Sequence, residues 1–283
     1  YLQRAMALGR ARGFVNFPWW IPSLMARLCA KALEAGIEID YVRYLVKKRK
    51  LMPEPSVQHC SAWPWPIKVR TLGKFELTVN EEAVNFSRKV QQRPLDLLKA
   101  IIAFGGQEVS EALVTDALWQ EAEGDAAHRA FAVTLHRLRK LIGPENLELK
   151  GGRLSLLRQT CYVDVWAFER WMEKADSAAQ PGDPEVRLRF REEAVSLYGG
   201  EFLADDAAPW AASLPERLRK KFIRAVLQQG SEWEASGQYE KAAVWLEKGL
   251  EIDPSAEPLR TALDLAHSHS RESGAEAARR RVR

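Results

Sequence analysis

The 283-residue sequence is poor in the residues that build metal centres and disulfide frameworks. It contains five histidines and three cysteines, and Cys29, Cys60 and Cys161 lie far apart with no Cys-x-x-Cys pair. This spacing predicts neither a structural zinc site nor a disulfide-linked secreted fold. Isolated cysteines are typical of proteins kept in a reducing compartment, so we expect a cytoplasmic location.

Long apolar segments are also missing. No stretch reaches the ~18 consecutive apolar residues of a membrane-spanning helix, and the segment 14–26 is interrupted by Asn16, Pro18 and Pro22. We therefore expect no membrane partner. The chain begins at Tyr1 inside a helical pattern and without a secretory leader, from which we expect a piece of a longer protein.

No group of catalytic residues is recognisable either. A phosphate-binding loop of the form G-x-x-x-x-G-K-[ST] is absent from the sequence. His267 and His269 are two residues apart on a predicted helix and point in different directions, so we interpret them as surface residues. The acidic pairs at 192–193 and 205–206 have no accompanying base and are interpreted as solvated faces. We predict no enzymatic activity, no metal and no cofactor.

The charge is mild overall but unevenly distributed. The net charge of +4 divides into +6 for residues 1–66, +2 for residues 67–158 and −4 for residues 159–283. Within the middle segment, residues 125–142 carry four Lys or Arg against one acid. Local clustering of this kind matters more for contact with phosphates than the total does.

The segment 125–142 combines this positive charge with an apolar helical stripe. Four apolar residues share one face at 3.6 residues per turn: Phe131, Leu135, Leu138 and Ile142. The remaining faces carry Arg129, Thr134, His136, Arg137, Arg139 and Lys140. This pattern suits a helix lying in a DNA major groove. Periodicity alone fits a solvated surface helix equally well, so the flanking segments must decide.

Residues 1–50 show a helical pattern. A helix ends at Gly13, a second is predicted over 22–35 with Leu24, Leu28 and Ala32 on one face, and Asp40 is the expected N-cap of a third. The cations at 47–50 end this third helix and fit a solvated helix end better than a phosphate contact.

The segment 51–66 contains four prolines and predicts an extended interdomain linker. Its two tryptophans, Trp63 and Trp65, are expected to dock on a neighbouring domain. Base stacking is the weaker alternative for them, because no basic groove surrounds them.

From residue 67 the apolar period changes to two, which predicts a small antiparallel sheet with a polar turn at 80–82. Pro94 lies in the first turn of the next helix, and Ser110 is the expected cap of another. After the helix at 125–142, a hairpin is predicted around Gly151-Gly152. A sheet, three helices and a hairpin in this order predict a winged helix-turn-helix.

At these positions the chain resembles the OmpR/PhoB-type output domain in the version carried by SARP-class regulators. The residues that carry the resemblance are Leu72-Gly73-Phe75, Pro94-Leu95-Leu97-Leu98, Val109-Ser110-Leu113, Leu118-Trp119, Thr134-Leu135, the run 137–143, and Val163-Asp164-Phe168-Glu169.

The acidic C-terminal segment has a different pattern. Gly237, Tyr239, Ala242, Leu246 and Gly249 reproduce the spacing of a tetratricopeptide repeat's second helix. It resembles the bacterial transcriptional activation domain of SARP-like regulators, apart from 262–265, which lacks the usual bulky residue. Residues 1–50 resemble more loosely the end of the helical-repeat domain of maltose-activator-type regulators, which implies an ATPase upstream.

The resemblance implies roles for individual residues. Arg129, Val133, Thr134 and Arg137 would face bases or the groove floor, and His136 is a further expected DNA-binding residue. Arg139 and Lys140 would contact phosphates, together with Ser110 and with Lys150 or Arg153 at the wing. Phosphate contact and a solvated cluster remain equal alternatives for Arg88, Lys89 and Arg93.

The expected fold is mainly α with small β. The expected domains are a helical-repeat end at 1–50, a linker at 51–66, a winged-helix DNA-binding domain at 67–160 and a tetratricopeptide-like activation domain at 161–283. The expected function is sequence-specific transcriptional regulation, with double-stranded DNA as ligand, a homodimer on DNA and contact with RNA polymerase. The alternative is a protein-interaction or small-molecule-sensing scaffold whose winged helix does not read DNA.

Overall fold

The computed structural model of the protein describes residues 1–84, 92–122, 124–178, 184–206, 209–211 and 213–281, with side chains as far as residue 273. Arg88 and Lys89 lie outside the described residues. Two compact units are present. The first contains Tyr1–Arg70, Glu76–Asp164 and Ala207–Ala212, and the second contains Thr71–Phe75, Val165–Asp206 and Ser213–Arg283. None of the described helices is long and apolar enough to cross a membrane.

The first unit begins with three helices: α1 (Leu2–Arg12), α2 (Pro22–Glu34) and α3 (Ile39–Lys48). The predicted apolar face of α2 is confirmed only in part: Ala32 is buried, but Leu24 is 40% exposed, and the buried face also contains Met25, Cys29 and Leu33. Small residues on that face let α2 lie against α3. The expected cap of α3 is also wrong, since the helix begins after Glu38, two residues before Asp40.

The segment predicted to be an extended linker is folded into the first unit. It contains a 3₁₀ turn at Pro55–Val57, and both of its tryptophans are buried. The Trp65 indole N–H donates to the Cys60 carbonyl at 2.8 Å, and the Trp65 ring lies 5.9 Å from that of Tyr162. The prolines therefore shape a packed connection here, because burial of two large indoles outweighs the tendency of proline-rich chain to stay solvated.

A four-stranded sheet follows, with the order β3-β2-β1-β7. Its strands are β1 (Ile67–Arg70), β2 (Glu76–Val79), β3 (Glu82–Ala83) and β7 (Cys161–Val163). The predicted antiparallel pairing and polar turn are present, with Ile67 opposite Val79. β7 was not predicted. All three of its residues are buried and it pairs in parallel with β1, so this unit extends past the expected boundary at residue 160.

The helices of the winged-helix part are α4 (Gln92–Ala103), α5 (Glu111–Leu118) and α6 (Gly124–Ile142). A three-stranded sheet accompanies them, in the order β4-β6-β5, formed by Val109–Ser110, Arg153–Leu156 and Leu147–Lys150. Gly151 and Gly152 connect β5 and β6 with φ of 55° and 70°. Two consecutive positive φ angles are the requirement of a type I′ turn, which explains the glycine pair and the predicted hairpin.

The second unit is a stack of helices. It contains α7 (Asp164–Ser177) from its second residue on, α8 (Pro184–Leu197), α9 (Ser213–Ala235), α10 (Tyr239–Ile252) and α11 (Glu257–Arg281). The consecutive helices α9, α10 and α11 pack against one another, as in a helical repeat.

A short segment from before the winged helix also belongs to this second unit. Leu72 pairs with Phe202 in an antiparallel bridge, and the Gly73 N–H donates to the Glu201 carbonyl at 3.0 Å. The Gly199 carbonyl lies 3.2 Å from where a Cβ on Gly73 would be, so a side chain there would collide with backbone. The two glycine-containing motifs at 72–75 and 198–203 therefore pack closely against each other, backbone to backbone.

Candidate nucleic-acid interface

The helix α6 is held in place by one buried face. Phe131, Leu135, Leu138 and Ile142 are all buried, as predicted. The Trp119 ring meets that of Phe131 edge-on at 6.4 Å between centroids. Burying such side chains stabilises by roughly 1.5–3 kcal/mol each, so this face fixes the rotation of α6 about its axis. Its opposite face is therefore presented to solvent in one defined orientation.

The exposed face of α6 is a stripe of cations around one valine. Arg129, Val133, His136, Arg137 and Lys140 are all exposed and fall within an arc of about 100° at 3.6 residues per turn. We call these five residues the α6 stripe. Its four polar members make no ion pair or hydrogen bond within the described part of the chain. Val133 is 52% exposed at the centre of the stripe. Free cations and an open apolar side chain leave the whole stripe available to a ligand.

The structure corrects the expected position of Thr134. This residue is 7% exposed and belongs to the buried face, and its hydroxyl donates to the Ala130 carbonyl at 2.7 Å. A threonine can pack like an apolar residue when its hydroxyl bonds back to the preceding turn. Thr134 is therefore not available to a ligand in this conformation.

Arg139 differs from the other cations of α6 because part of its guanidinium group is already used. Its side chain is half-buried, and its Nε donates to the Leu147 carbonyl at 3.2 Å. This bond connects α6 to the first strand of the hairpin. Arg139 therefore fixes the angle between helix and hairpin, while its other nitrogens stay near the surface.

The hairpin β5–β6 places two cations at its tip. Lys150 and Arg153 are opposite each other in the register and both are exposed. Arg153 donates from Nη1 to the Glu108 carbonyl at 3.1 Å, so its side chain is partly held, whereas Lys150 has no partner within the described residues. The tip has the shape and charge of a wing.

Ser110 lies at the start of α5 but does not cap it with its hydroxyl. Its backbone has the extended conformation of an N-cap, yet no side-chain capping bond forms. The next N–H, from Glu111, donates to the Gly152 carbonyl at 2.8 Å. The wing turn therefore takes over part of the capping role, and α5, wing and sheet are joined at one point.

Sequence reasoning missed a pair that connects α5 to α6. His128 Nδ1 lies 2.7 Å from the Glu111 carboxylate. No local sequence pattern predicts such a pair, because the two residues are 17 positions apart on different helices. Arg93, for which phosphate contact and a solvated cluster are equal alternatives, is exposed. Its guanidinium donates to the Leu118 carbonyl at 3.2 Å, at the end of α5.

Two cysteines of this unit, Cys29 and Cys161, are buried. No group of three or more His, Cys, Asp or Glu side chains converges on a metal site within the described ranges. Burial raises the pKa of the Cys29 and Cys161 thiols to about 12. Both thiols therefore stay protonated and unreactive near neutral pH.

Comparison with known proteins bears on both parts of the chain. Residues 163–283 match the family described as "Bacterial transcriptional activator domain". The chain is similar to the regulatory protein AfsR of Streptomyces griseus, with 24% identity over 172 residues that cover 61% of this chain and 17% of AfsR. It is also similar to the structure of Mycobacterium tuberculosis EmbR in complex with a low affinity phosphopeptide, with a TM-score of 0.59, 23% identity and coverage of 77% of this chain and 59% of that one.

These similarities confirm the expected fold class, a winged helix joined to a helical domain. The C-terminal part, residues 163–283, is similar to the bacterial transcriptional activator domain over its whole length. The chain spans about one sixth of the length of AfsR (17%) and 59% of the EmbR chain. At 23% identity, the likeness to EmbR concerns the fold alone.

Proposed function

We propose that the chain is the DNA-binding and activating part of a transcriptional regulator, in which α6 reads the major groove. The observation that carries this proposal is the α6 stripe. Four polar side chains without a partner among the described residues, and one exposed valine, occupy the face opposite the buried one, and two cations stand at the tip of the adjoining hairpin. A helix with this charge suits the major groove, and a basic hairpin suits the neighbouring minor groove.

Roles are assigned within this proposal by exposure. Arg129, His136 and Arg137 offer hydrogen-bond donors to base edges, and Val133 offers an apolar contact. Lys140, Lys150 and the free nitrogens of Arg139 and Arg153 contact phosphates. Ser110 lies beside the wing turn, and we assign it to the phosphate contacts as well. Thr134 has no role in contact.

The activator domain supports the rest of the proposal. Its similarity to a family of transcriptional activator domains, and the name of AfsR as a regulatory protein, fit a chain that binds DNA and recruits transcription machinery. We propose that it acts in the cytoplasm, binds repeated half-sites as a homodimer and contacts RNA polymerase through the second unit.

The test is selection of a binding site from a random duplex library, followed by binding at several salt concentrations. Each phosphate contact contributes about 0.9 to the slope of log K against log salt, so Lys140→Ala should lower the slope by about that amount. Arg137→Ala should weaken binding by ~10-fold or more and relax the preference at one base pair. Arg271→Ala, an exposed cation of the second unit, serves as the matched control.

Two outcomes contradict the proposal. If Arg137→Ala and Arg271→Ala behave alike in affinity and base preference, α6 is not the reading helix. If the protein retards no duplex at ~50 mM salt, where phosphate contacts are strong, the scaffold alternative is favoured and the winged helix serves another purpose.

A further inference from the structure

The most exposed aromatic side chain of the described residues that follow Tyr1 lies in the connection between α1 and α2. Trp19 is 92% exposed, and Phe14, Ile21 and Leu24 nearby are each at least 40% exposed. Scattered exposed apolar residues are ordinary, but four within eleven positions form a patch. We call Phe14, Phe17, Trp19, Trp20 and Ile21 the aromatic surface.

The aromatic surface is held in a defined shape. The Phe14 carbonyl accepts a hydrogen bond from the buried Tyr41 hydroxyl at 2.7 Å, which fixes the start of the segment to α3. The rings then contact in sequence, Phe14 edge-on to Phe17 at 6.4 Å and Phe17 stacked with Trp20 at 6.2 Å. Trp19 has φ of 62°, a strained backbone conformation for a bulky residue that places its side chain outward. Preorganised apolar groups bind with little loss of entropy.

The charge beside the aromatic surface is positive. The Arg49 guanidinium lies over the Trp20 ring at 4.6 Å, and Lys48 and Lys50 on either side of it are exposed. Lys48 and Lys50 make no ion pair among the described residues, whereas Lys47 pairs with Glu81. Residues 1–50 contain ten Lys or Arg against three acids, two of which already face Arg10 and His59. A ligand for this region must therefore be anionic as well as apolar.

Three kinds of ligand combine these properties, and the geometry distinguishes them. Single-stranded nucleic acid needs several open ring faces in succession, but Trp20 is covered by Arg49 and packed on Phe17. A membrane surface needs an apolar helix face free to insert, but the apolar face of α2 is buried in the protein. A protein segment needs a protruding anchor such as Trp and a cationic rim, and both are present.

We propose that the aromatic surface is the docking site for an acidic amphipathic segment of another protein. A large apolar side chain of that segment packs against Trp19 and Ile21, and its carboxylates face Lys48 and Lys50. This surface is separate from the α6 stripe, so its occupation does not depend on the DNA proposal.

The test uses the full chain and three labelled helix-forming peptides of about 16 residues, long enough to hold helical structure. The first has leucines on one face and glutamates elsewhere, the second replaces glutamate by lysine, and the third replaces leucine by serine. Fluorescence anisotropy should show binding of the first peptide, with the other two at least ~10-fold weaker, because the second loses the attraction to Lys48 and Lys50 and the third loses the apolar contact with Trp19. Raising the salt concentration should weaken binding of the first peptide, because salt screens the attraction between its glutamates and the lysines.

Variants locate the binding. Trp19→Asn keeps a residue that tolerates positive φ and removes the indole, and it should weaken binding by ~10-fold or more. The double variant Lys48→Glu with Lys50→Glu should weaken binding of the acidic peptide. Added salt should no longer weaken that binding. Val244→Asn, an exposed valine in the second unit, is the control and should bind like the wild type. DNA retardation by Trp19→Asn should be unchanged, so failure here and failure of the DNA proposal are distinguishable.

Several results would overturn the inference. These are equal binding by Trp19→Asn, equal binding of the lysine peptide, and no binding of any peptide up to about 1 mM, the weak end of the affinity scale. Trp19-dependent binding to phosphatidylserine vesicles or to an oligothymidylate, without binding of the acidic peptide, would assign the surface to a membrane or to nucleic acid. Trp19-dependent self-association without peptide binding would assign it to a second copy.

Discussion

Two helices of this molecule, one in each compact unit, expose faces with the same spacing and opposite charge. Four matched positions are Arg129, Val133, His136 and Lys140 of the α6 stripe and Glu240, Val244, Glu247 and Glu251 on α10. At the position that corresponds to Arg137, α10 has an exposed lysine, Lys248, so its face carries three acids and one cation. In both, an exposed valine occupies the second position, 52% exposed on α6 and 66% on α10. Helix geometry is thus the same in the two faces, so the charge must decide what each can bind. A polyanion is attracted to α6 and repelled by α10.

The buried faces of the two helices differ as well. α6 is held mainly by large buried side chains such as Phe131 and Leu135. α10 is held partly by small residues, including Ala242 and Gly249, which let it pack closely between α9 and α11. The first arrangement suits insertion into a groove, and the second suits stacking of repeats.

Exchanging the charges should break this contrast most strongly. Arg129→Glu with Lys140→Glu removes two cations from α6 and adds two acids, so DNA affinity should fall by ~100-fold or more, at 1–3 kcal/mol for each lost contact. The matched change on α10, Glu240→Lys with Glu251→Lys, should leave affinity equal or slightly higher. Gel retardation measures both, with circular dichroism to check folding. Equal losses in the two variants would show that total charge, not α6, controls binding.

The ends of the two helices give the next largest effect. After α10, the buried Asp253 accepts hydrogen bonds from Arg219 at 2.6 and 3.2 Å and from the Ser255 hydroxyl at 2.9 Å. Burial opposes its ionisation, but the bonds from Arg219 and Ser255 outweigh burial and lower the pKa of Asp253. α6 ends at Gly143 with no such carboxylate. The stability of the connection from α10 to α11 therefore depends on one charged side chain, whereas the segment that follows α6 has no such dependence.

Asp253→Asn should destabilise the protein by about 2–3 kcal/mol near neutral pH, since it weakens bonds to a charged acceptor that is largely removed from water. A carboxyl whose pKa is lowered on folding stabilises above its unfolded pKa of ~3.9 and loses that effect as pH falls through the folded value. The difference between wild type and variant in thermal unfolding should therefore shrink below about pH 4 and disappear at lower pH. A difference that is constant with pH would assign the effect to packing.

Local patterns predicted α6 well and failed where partners are distant in sequence. The positions of Phe131, Leu135 and Leu138 follow from period 3.6 alone. Thr134 was misplaced because polarity was taken as exposure, although its hydroxyl bonds to its own helix. The strand β7 pairs with β1 some 94 positions earlier, Ile67 with Cys161, and a three-residue strand carries no period that could reveal this.

The same distinction explains the other differences. Prolines at 53–66 predicted an extended chain, because sequence shows backbone preference but not the folded path of this segment. The expected docking of Trp63 and Trp65 agrees with their burial. The motif Leu72-Gly73-Phe75 supported a resemblance in the sequence, and only the structure shows Gly73 against Gly199 in the second unit. Repeat spacing, by contrast, placed Gly249 correctly in a packed helix, because a repeat encodes its own neighbours. A second packed glycine, Gly230, lies on the neighbouring helix α9.

Gly249 and Gly230 show how closely the buried faces of α10 and α9 are packed, and replacing them should have smaller effects than the changes above. A Cβ at Gly249 on α10 would lie 2.8 Å from Val226 Cγ1 and 3.0 Å from Leu259 Cδ1, whereas at Gly230 on α9 the nearest atoms are 3.4 Å away. Gly249→Ala should therefore destabilise by about 1–2 kcal/mol through overpacking, despite its better helix propensity. Gly230→Ala should be neutral or stabilise by up to about 1 kcal/mol. Thermal unfolding of both variants measures this, and equal stabilisation of both would show that α10 is not closely packed.

The smallest expected effect concerns the central valine of the α6 stripe, and it depends on DNA binding. An exposed apolar side chain between Arg129 and Arg137 has a natural partner in the 5-methyl group of thymine, which base pairs present in the major groove. Replacing that thymine by deoxyuridine in the selected site should weaken wild-type binding by ~4-fold, as expected for about 0.8 kcal/mol per buried methyl-sized group. Val133→Ala should lose most of this sensitivity.

Thr134→Val provides the neighbouring control, because Thr134 is buried and its replacement has nearly the same shape. It should leave both DNA affinity and the effect of deoxyuridine unchanged. If the thymine methyl matters equally to wild type and Val133→Ala, another residue contacts it. The opposite result is that Thr134→Val abolishes the effect of deoxyuridine on affinity while Val133→Ala retains it. That result would mean that α6 turns about its axis when it binds DNA. Val133 would then contact DNA no more than the corresponding Val244 of α10 does.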